Sequence, residues 1–310
     1  MPFVEECEIL NNKLIAKKVM KMTLRSENIA GEAKPGMFVQ VSCNSSNTTD
    51  PLLRRPISIH NVKGDTFDII YSIVGRGTEL LSTRLKHEKI SVVGALGSSY
   101  DTSEIDLHVL VGGGCGVPPM YFLAKELQKN INIDIDMSYP YITNDLASPF
   151  NPSYEDNMLQ TLEAEMFFKN ANHICVCIGA SCDDLILCED DFLELGIIPS
   201  ISTDDGSKGD KGFVTESLKK ILEKNKDKKI KIYSCGPTIM MKNVYLLSLN
   251  YKNVVSTQFG MENVMACGVG VCTGCVVKIK GSINDMGSND WHYERVCKEG
   301  PVFKGDDLVW

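Results

Sequence analysis

Over residues 1–100 the apolar positions come in short runs or alternate with polar ones. "GMFVQVSC", "ISIHNV", "TFDIIYSIVG" and "KISVVGAL" are each bounded by Gly, Asn, Asp or Pro. A period of two buries one face of a strand, and turn residues at regular spacing end each run, so this part predicts a β-barrel or sandwich. Near residue 103 the period changes. "LHVLVGGG" is a continuous apolar run ending in glycines, the pattern of a strand covered on both faces. "PPMYFLAKELQKN" reads as a helix opened by proline. "HICVCIGA" and "KIKIYSCGP" repeat the strand signal, and "GFVTESLKKILEK" and "PTIMMKNVYLLSL" the helical one. Alternating strands and helices predict a doubly wound parallel α/β unit over about 103–255. Residues 131–172 interrupt that rhythm: "SYPYITNDLASPFNPSYEDN" reads as an insertion and "MLQTLEAEMFFKN" as one amphipathic helix. The expected fold class is therefore β plus α/β, in three units: 1–102, 103–255 and a small cysteine-bearing unit at 256–310.

Composition narrows the function. The chain has 310 residues, 43% hydrophobic and 23% charged, enough to bury a core in more than one unit. Its formal net charge of -8 argues against general nucleic-acid binding, which needs a basic face. The start, "MPFVEECEILNNKLIAKK", carries early acids and no apolar core, so no signal peptide is expected. No apolar run reaches the roughly 18 residues of a membrane helix. The expected compartment is the cytosol. There, 12 cysteines serve as ligands or small apolar residues rather than disulfides. "EKNKDKKIK" reads as a solvated helix end. The five histidines show no H-x-x-x-H spacing, and His60 and His173 read as ordinary barrel and strand-end residues.

Three cysteines stand close together, Cys267-x4-Cys272-x2-Cys275, and Cys297 follows further on. This is the plant-type [2Fe-2S] spacing. Two irons need four thiolates, and one glycine-bearing loop supplies three of them. A structural zinc site is the competing reading, but it expects paired C-x2-C knuckles and one is present. Unligated buried cysteines leave the interleaved Gly268, Gly270 and Gly274 unexplained. Asp290 is an alternative fourth ligand, a harder donor than iron in such clusters prefers. The remaining cysteines, including Cys175, Cys177, Cys182 and Cys188, lack a pattern and read as core or surface residues.

Glycine loops upstream suggest nucleotides. In "VLVGGGCGVPPM", Gly112, Gly113, Gly114 and Gly116 let backbone approach a phosphate at a helix N-terminus. Val117 takes the last glycine position of G-x-G-x-x-G, so a tight strand-to-helix turn competes with this reading. "YSCGPTIMMK" repeats the logic at Cys235, Gly236 and Pro237. Asp204, Asp205, Gly206 and Ser207 form either a polar surface loop or a ligand contact. In "LLRRPISIHNV", Arg55 offers a forked cation to a pyrophosphate and Ser58 a hydroxyl to a ring. In "YSIVGRGTELLS", Gly77 and Thr78 open a helix. A solvated barrel rim is the competing reading for both stretches.

Taken in order, "RRPISI", "YSIVGRGTELL", "GALG", "VGGGCGVPP", "TDDGSKGDKGFVT", "SCGP", "MACGVGVCTGC" and "RVCKEGPVFKGDDLVW" resemble the ferredoxin-reductase superfamily. Within it they are similar to the electron-transfer subunits of two-subunit, NAD-dependent dihydroorotate dehydrogenases. The resemblance runs over nearly the whole chain. It implies an FAD-binding antiparallel barrel, an NAD-binding α/β domain and a C-terminal [2Fe-2S] domain. Arg55, Pro56, Ile57 and Ser58 match a first FAD contact, Ile70, Tyr71 and Ser72 a second, Gly77 and Thr78 a third. Gly112, Gly113, Gly114, Gly116, Cys235, Gly236 and Pro237 match the NAD(H) side, with Cys235 beside the nicotinamide. Cys267, Cys272, Cys275 and Cys297 match the cluster ligands. The implied partner is an FMN-containing catalytic subunit that oxidises dihydroorotate to orotate in pyrimidine biosynthesis, in a heterotetramer of two plus two chains, with no membrane. The rival readings are a flavin/[2Fe-2S] subunit of an NADH/NADPH–ferredoxin transhydrogenase or sulfide dehydrogenase, and a zinc-stabilised nucleotide sensor without catalysis.

Overall fold

In the computed structural model, residues 2–44, 50–130, 173–283 and 289–310 are described. The expected insertion over 131–172 and its helix lie outside them.

The N-terminal part is a closed antiparallel barrel of six strands: β1 (Phe3–Ala16), β2 (Val19–Arg25), β3 (Phe38–Val41), β4 (Arg55–Lys63), β5 (Thr66–Ser72) and β6 (Lys89–Leu96). Their order round the barrel is β1-β2-β5-β4-β3-β6. Alternation sorts the faces. Ile57 and Ile59 of β4 and Phe67, Ile69 and Tyr71 of β5 fill the interior, while Ile70 points outward against the neighbouring sheet. Closure leaves no unpaired edge. Two short helices decorate it: α1 (Glu27–Glu32), capped by the Ser26 hydroxyl accepting from Ile29 N–H at 3.1 Å, and α2 (Arg76–Ser82).

A seven-stranded sheet follows: β7 (Leu107–Gly113), β8 (Ile174–Ala180), β9 (Ser200–Thr203), β10 (Asp210–Lys211), β11 (Ile230–Cys235), β12 (Val254–Gly260) and β15 (Val302–Lys304). The order is β10-β9-β8-β7-β11-β12-β15. All neighbours are parallel except β15, which runs antiparallel to β12. Every residue of β7 is buried because both faces are covered, which is why its sequence lacks alternation. Helices α3 (Val117–Asn130), α4 (Glu189–Glu194), α5 (Val214–Lys224) and α6 (Thr238–Ser248) connect the strands. In α5, Val214, Leu218 and Leu222 recur every four residues and form the face laid on the sheet.

The boundary expected at 255/256 falls inside β12, which pairs with β11 through Cys235 and Gly260. Beyond Gly260 come the cysteine loop and the hairpin β13 (Val276–Ile283) and β14 (Asn289–Arg295). The last residues return to both units: β15 joins the sheet, and Val309 N–H donates to Lys278 O at 3.0 Å on the hairpin. One continuous core holds Phe38 and Leu96 of the barrel, Phe259 of the sheet, and Cys275 and Cys297. The cysteine unit is therefore packed into both larger units.

Candidate functional site

In a doubly wound sheet, ligands bind at the carboxyl ends of strands where the connections reverse direction. Here the reversal flanks β7, with β8 on one side and β11 on the other. The two glycine turns expected to hold a nucleotide emerge side by side, since Gly112 of β7 pairs with Cys235 of β11. They interlock. A Cβ on Gly116 would fall inside the Cys235 carbonyl, and one on Gly236 would lie 2.8 Å from Gly113 O. Glycine is required at 116 because two backbones touch there. Gly114, at φ +53°, has nothing around its Cβ position and faces open space. Pro237 is the N-cap of α6.

The barrel reaches this turn directly. Ser72 Oγ, at the end of β5, lies 2.8 Å from Cys115 Sγ in the β7 glycine turn. Behind it, the Arg55 guanidinium lies across the start of α2: a Cβ on Gly77 would stand 2.6 Å from Arg55 Nε. Arg55 Nη1 also donates to Leu53 O at 2.5 Å. The first, second and third barrel motifs thus form one wall leading to the sheet crevice.

Not every matched residue offers its side chain. Ile57 and Tyr71 are turned into the barrel core, and Tyr71 donates its hydroxyl to Asn12 Oδ1 at 3.1 Å. Ile70 is spent on packing against the sheet. Ser58, half-buried, points away from the core between them. The Thr78 hydroxyl is consumed locally, accepting from Val74 N–H at 3.0 Å and donating to Gly75 O at 2.9 Å. At Ile57, Ile70, Tyr71 and Thr78 only the backbone remains for a ligand. The Asp205 carboxylate accepts from Ser207 N–H at 2.9 Å and Ser207 O–H at 2.6 Å, so that loop is held by its own Asx turn.

Two residues in the crevice were not singled out from sequence. Cys115 and Glu262 both reach solvent, yet protein crowds them on their other sides. That crowding, as the loss of water around a charge, pushes the Glu262 carboxyl and the Cys115 thiol up. Cys235 is buried, and desolvation followed by the Glu262 charge raises its thiol far above the ordinary range. Tyr100 is buried and raised by desolvation, then by Cys235 and Glu262, and its hydroxyl lies close to Gly260. A neutral thiol, a hydroxyl and an acid therefore meet where barrel and sheet touch. Glu262 carries no local motif; only its place after β12 marks it.

The cysteine loop is built from local backbone. Gly268 and Gly270 have φ of +69° and +82°, which curls the chain so that its N–H groups point inward. Cys267 Sγ accepts from Val269, Val271 and Cys272 N–H at 3.4–3.5 Å. Burial opposes its thiolate, but those donations outweigh it and bring the thiol down to about 6. Cys297 Sγ accepts from Gly270 N–H at 3.1 Å, and Cys275 Sγ from Cys297 N–H at 3.4 Å. Arg295 clamps the loop, with Nη1 on Gly270 O at 2.5 Å and its fork on Glu299. Gln40 of β3 lies beneath, donating to Met265 Sδ at 3.6 Å.

The sulfurs fall into two contacting pairs, Cys267 with Cys272 and Cys275 with Cys297. Among the described residues, no three of them converge as ligands of a single ion. A tetrahedral zinc site brings four sulfurs together, whereas a two-iron cluster is held by two pairs. The donor set fits the cluster. Asp290 is directed elsewhere: it lies on the β14 hairpin strand and accepts from its neighbour Trp291 N–H at 2.9 Å.

Comparison with known proteins agrees with this geometry. Residues 262–309 match the family model described as the iron-sulfur cluster binding domain of dihydroorotate dehydrogenase B. The electron transfer subunit of dihydroorotate dehydrogenase B (NAD(+)) from Fusobacterium nucleatum is 32% identical, over 98% of this chain and 98% of that protein. The corresponding subunit from Desulforamulus reducens is 32% identical over 100% of both. Among solved structures, an NADH-dependent reduced ferredoxin-NADP oxidoreductase studied for flavin-based electron bifurcation superposes with a TM-score of 0.71 at 25% identity, over 99% of this chain and 90% of that one. Ferredoxin-NADP+ reductase from Plasmodium falciparum shares the fold, with a TM-score of 0.54 at 14% identity over 81% of this chain and 92% of that one. The barrel, the parallel sheet and the paired-sulfur loop, with relatedness along the whole chain, place this protein in the family of electron transfer subunits of dihydroorotate dehydrogenase B (NAD(+)).

Proposed function

We propose that this subunit exchanges electrons with NAD(H) itself and relays them through FAD and a [2Fe-2S] cluster to or from a catalytic FMN-containing chain that oxidises dihydroorotate to orotate. When bound, FAD joins the hydride chemistry of NAD(H) to the one-electron chemistry of the cluster. Arg55 offers its fork to the flavin pyrophosphate, and the α2 start at Gly77 gives it room. The backbone of Pro56, Ile57, Ile70 and Tyr71 and the hydroxyls of Ser58 and Ser72 orient the ring from the barrel side. Gly112, Gly113, Gly114, Gly116, Gly236 and Pro237 admit the nicotinamide nucleotide from the sheet side, with Cys235 at the crevice floor. Cys267, Cys272, Cys275 and Cys297 hold the irons as thiolates, aided by backbone donors that favour the charged sulfur.

The observation that carries this reading is the 2.8 Å approach of Ser72 to Cys115, which joins the barrel wall to the sheet turn. Hydride transfer needs two rings held face to face with water excluded, and a wall and a turn in contact provide such a place. FAD-loaded, cluster-containing protein is expected to reduce a dye with NADH. Absence of that activity would remove the claim that this subunit is itself an oxidoreductase. Isolation of the native complex is expected to give two of these chains with two FMN chains in the soluble cytoplasmic fraction. Among the described residues no helix is long and apolar enough to cross a membrane. The similarity to the bifurcating oxidoreductase supports a second reading, a ferredoxin-linked transhydrogenase subunit. Co-purification with a ferredoxin-binding chain instead of an FMN dehydrogenase would favour it.

A further inference from the structure

His60 is fully buried on β4, where the barrel meets the sheet unit. Its Nδ1 lies 2.9 Å from Pro118 O at the start of α3. A carbonyl only accepts, so Nδ1 carries a proton and Nε2 is the ring nitrogen turned toward other partners. That Nε2 is buried without a well-formed hydrogen bond, and what it faces is the Asp191 carboxylate at ion-pair distance, itself beside the Cys188 thiol. Histidine ligands of metals show this arrangement, one nitrogen oriented by a carbonyl and the other directed at the remaining ligand groups. The ring is further held by stacking on Tyr121 at 4.8 Å, and Tyr121 meets Phe192 edge-on at 5.9 Å.

Two other donors face Nε2. Asp191 Oδ2 lies 3.5 Å away, and Cys188 Sγ completes a trio whose donor atoms all lie within 4.8 Å of one another. Cys188 is the N-cap of α4 and Asp191 is in its first turn, so both project to one side. The second carboxylate oxygen, Oδ1, is 3.8 Å from Lys21 Nζ, which also bridges to Asp68 at 3.5 Å. Lys21 thereby leaves Oδ2 as the oxygen facing the ring. A tetrahedral zinc with bonds of about 2.0–2.3 Å keeps its ligand atoms roughly 3.3–3.8 Å apart. The His–Asp spacing already lies in that range. Nitrogen, sulfur and oxygen together suit a borderline-soft dication and exclude magnesium and calcium, which reject thiolate.

We propose that His60 Nε2, Cys188 Sγ and Asp191 Oδ2 form a zinc site, separate from the cluster cysteines, that ties barrel strand β4 to helix α4 of the sheet unit. A water completes the tetrahedron. Binding replaces the Cys188 S–H bond by a zinc–thiolate bond and releases one proton to solvent, with no change of oxidation state. The ligands come from two different units, so the ion acts as a clasp across their interface beside the strand that carries Arg55 and Ser58.

The test uses cluster-containing protein equilibrated with zinc, desalted and analysed for both metals. About one zinc per chain is expected beside about two irons, with zinc-edge X-ray absorption showing one sulfur and otherwise nitrogen or oxygen neighbours. Cys188→Ser, which nearly conserves volume, and Asp191→Asn are each expected to weaken zinc retention against a chelator by at least about tenfold, with iron content unchanged. His60→Gln should do the same; because His60 is buried, the two α4 variants decide if it fails to fold. Zinc held equally well by Cys188→Ser, no uptake by the parent protein, or zinc with an all-sulfur shell and matching loss of iron would each overturn the proposal.

Discussion

The cysteine loop and the crevice at the β7–β11 edge are built on opposite plans. The loop draws its four sulfurs from residues 267 to 297, and its own N–H groups and Arg295 organise it. The crevice collects Arg55, Ser72, Cys115, Cys235 and Glu262 from the barrel, the sheet and the segment after β12. A locally built site survives changes in its surroundings and fails when one ligand is lost. A site built across units fails when the units no longer fit, even with every polar group intact.

This contrast can be broken most forcibly at Gly116. A valine there must displace the Cys235 backbone, which cannot yield like a side chain. The expected cost is on the order of 3 kcal/mol or more, a fall in melting temperature of roughly 5–10 °C. Iron content per folded chain should hold if the loop is independent, and a melting temperature within a degree of the parent would refute the interlock. Next in size is Cys275→Ser, expected to cut bound iron more than about fivefold in a metal assay while the barrel and sheet stay folded. Equal iron in that variant would mean that the sulfur pairs are not ligands.

A smaller effect is expected at the clamp. Arg295, first by hydrogen bonding, holds the Glu299 carboxyl down to about 2. A carboxyl lowered on folding stabilises above its unfolded value, near 4.5, and loses that contribution as pH falls toward 2. The pair lies at the surface, half-buried and reached by solvent, so screening keeps the expected cost of Glu299→Gln under about 1 kcal/mol at pH 7. The gap between variant and parent in thermal melts should close from pH 4.5 downward; a gap constant with pH would show that the charge is not what matters. The smallest change is Ser72→Ala. The Cys115 thiol is raised chiefly by burial, and the Ser72 hydroxyl pulls it back. Losing that hydroxyl should slow alkylation of Cys115 at pH 8 by about two- to threefold. An unchanged or faster rate would place Ser72 outside the crevice.

Much of the barrel was legible because its strands alternate, but β1 was not: of its 14 residues only Cys7 and Ile9 are buried. Its apolar residues do not keep a period of two, and Val4 and Leu14 face outward, so only pairing with β2 and β6 makes it a strand. The motif residues were legible as positions rather than as roles. Tyr71 and Thr78 stand where a flavin contact is expected, yet the barrel core takes one side chain and the α2 cap the other. Cys188 read as an unremarkable thiol and His60 as an ordinary barrel residue, because His60 lies more than a hundred positions from Cys188 and Asp191, and those two alone make no motif.

What the chain alone determined is whatever depends on near neighbours: the strand and helix periods, the glycine turns, and the spacing that lets one loop offer paired thiolates. Short-range geometry follows from a few dihedral angles, and residue type restricts those directly. Only the tertiary structure decided that β12 belongs to the sheet, that Ser72 meets Cys115, that Glu262 enters the crevice, and that His60 faces Cys188 and Asp191. Those contacts join residues from tens to well over a hundred positions apart. Packing of the separate units sets such distances, and no local pattern encodes them.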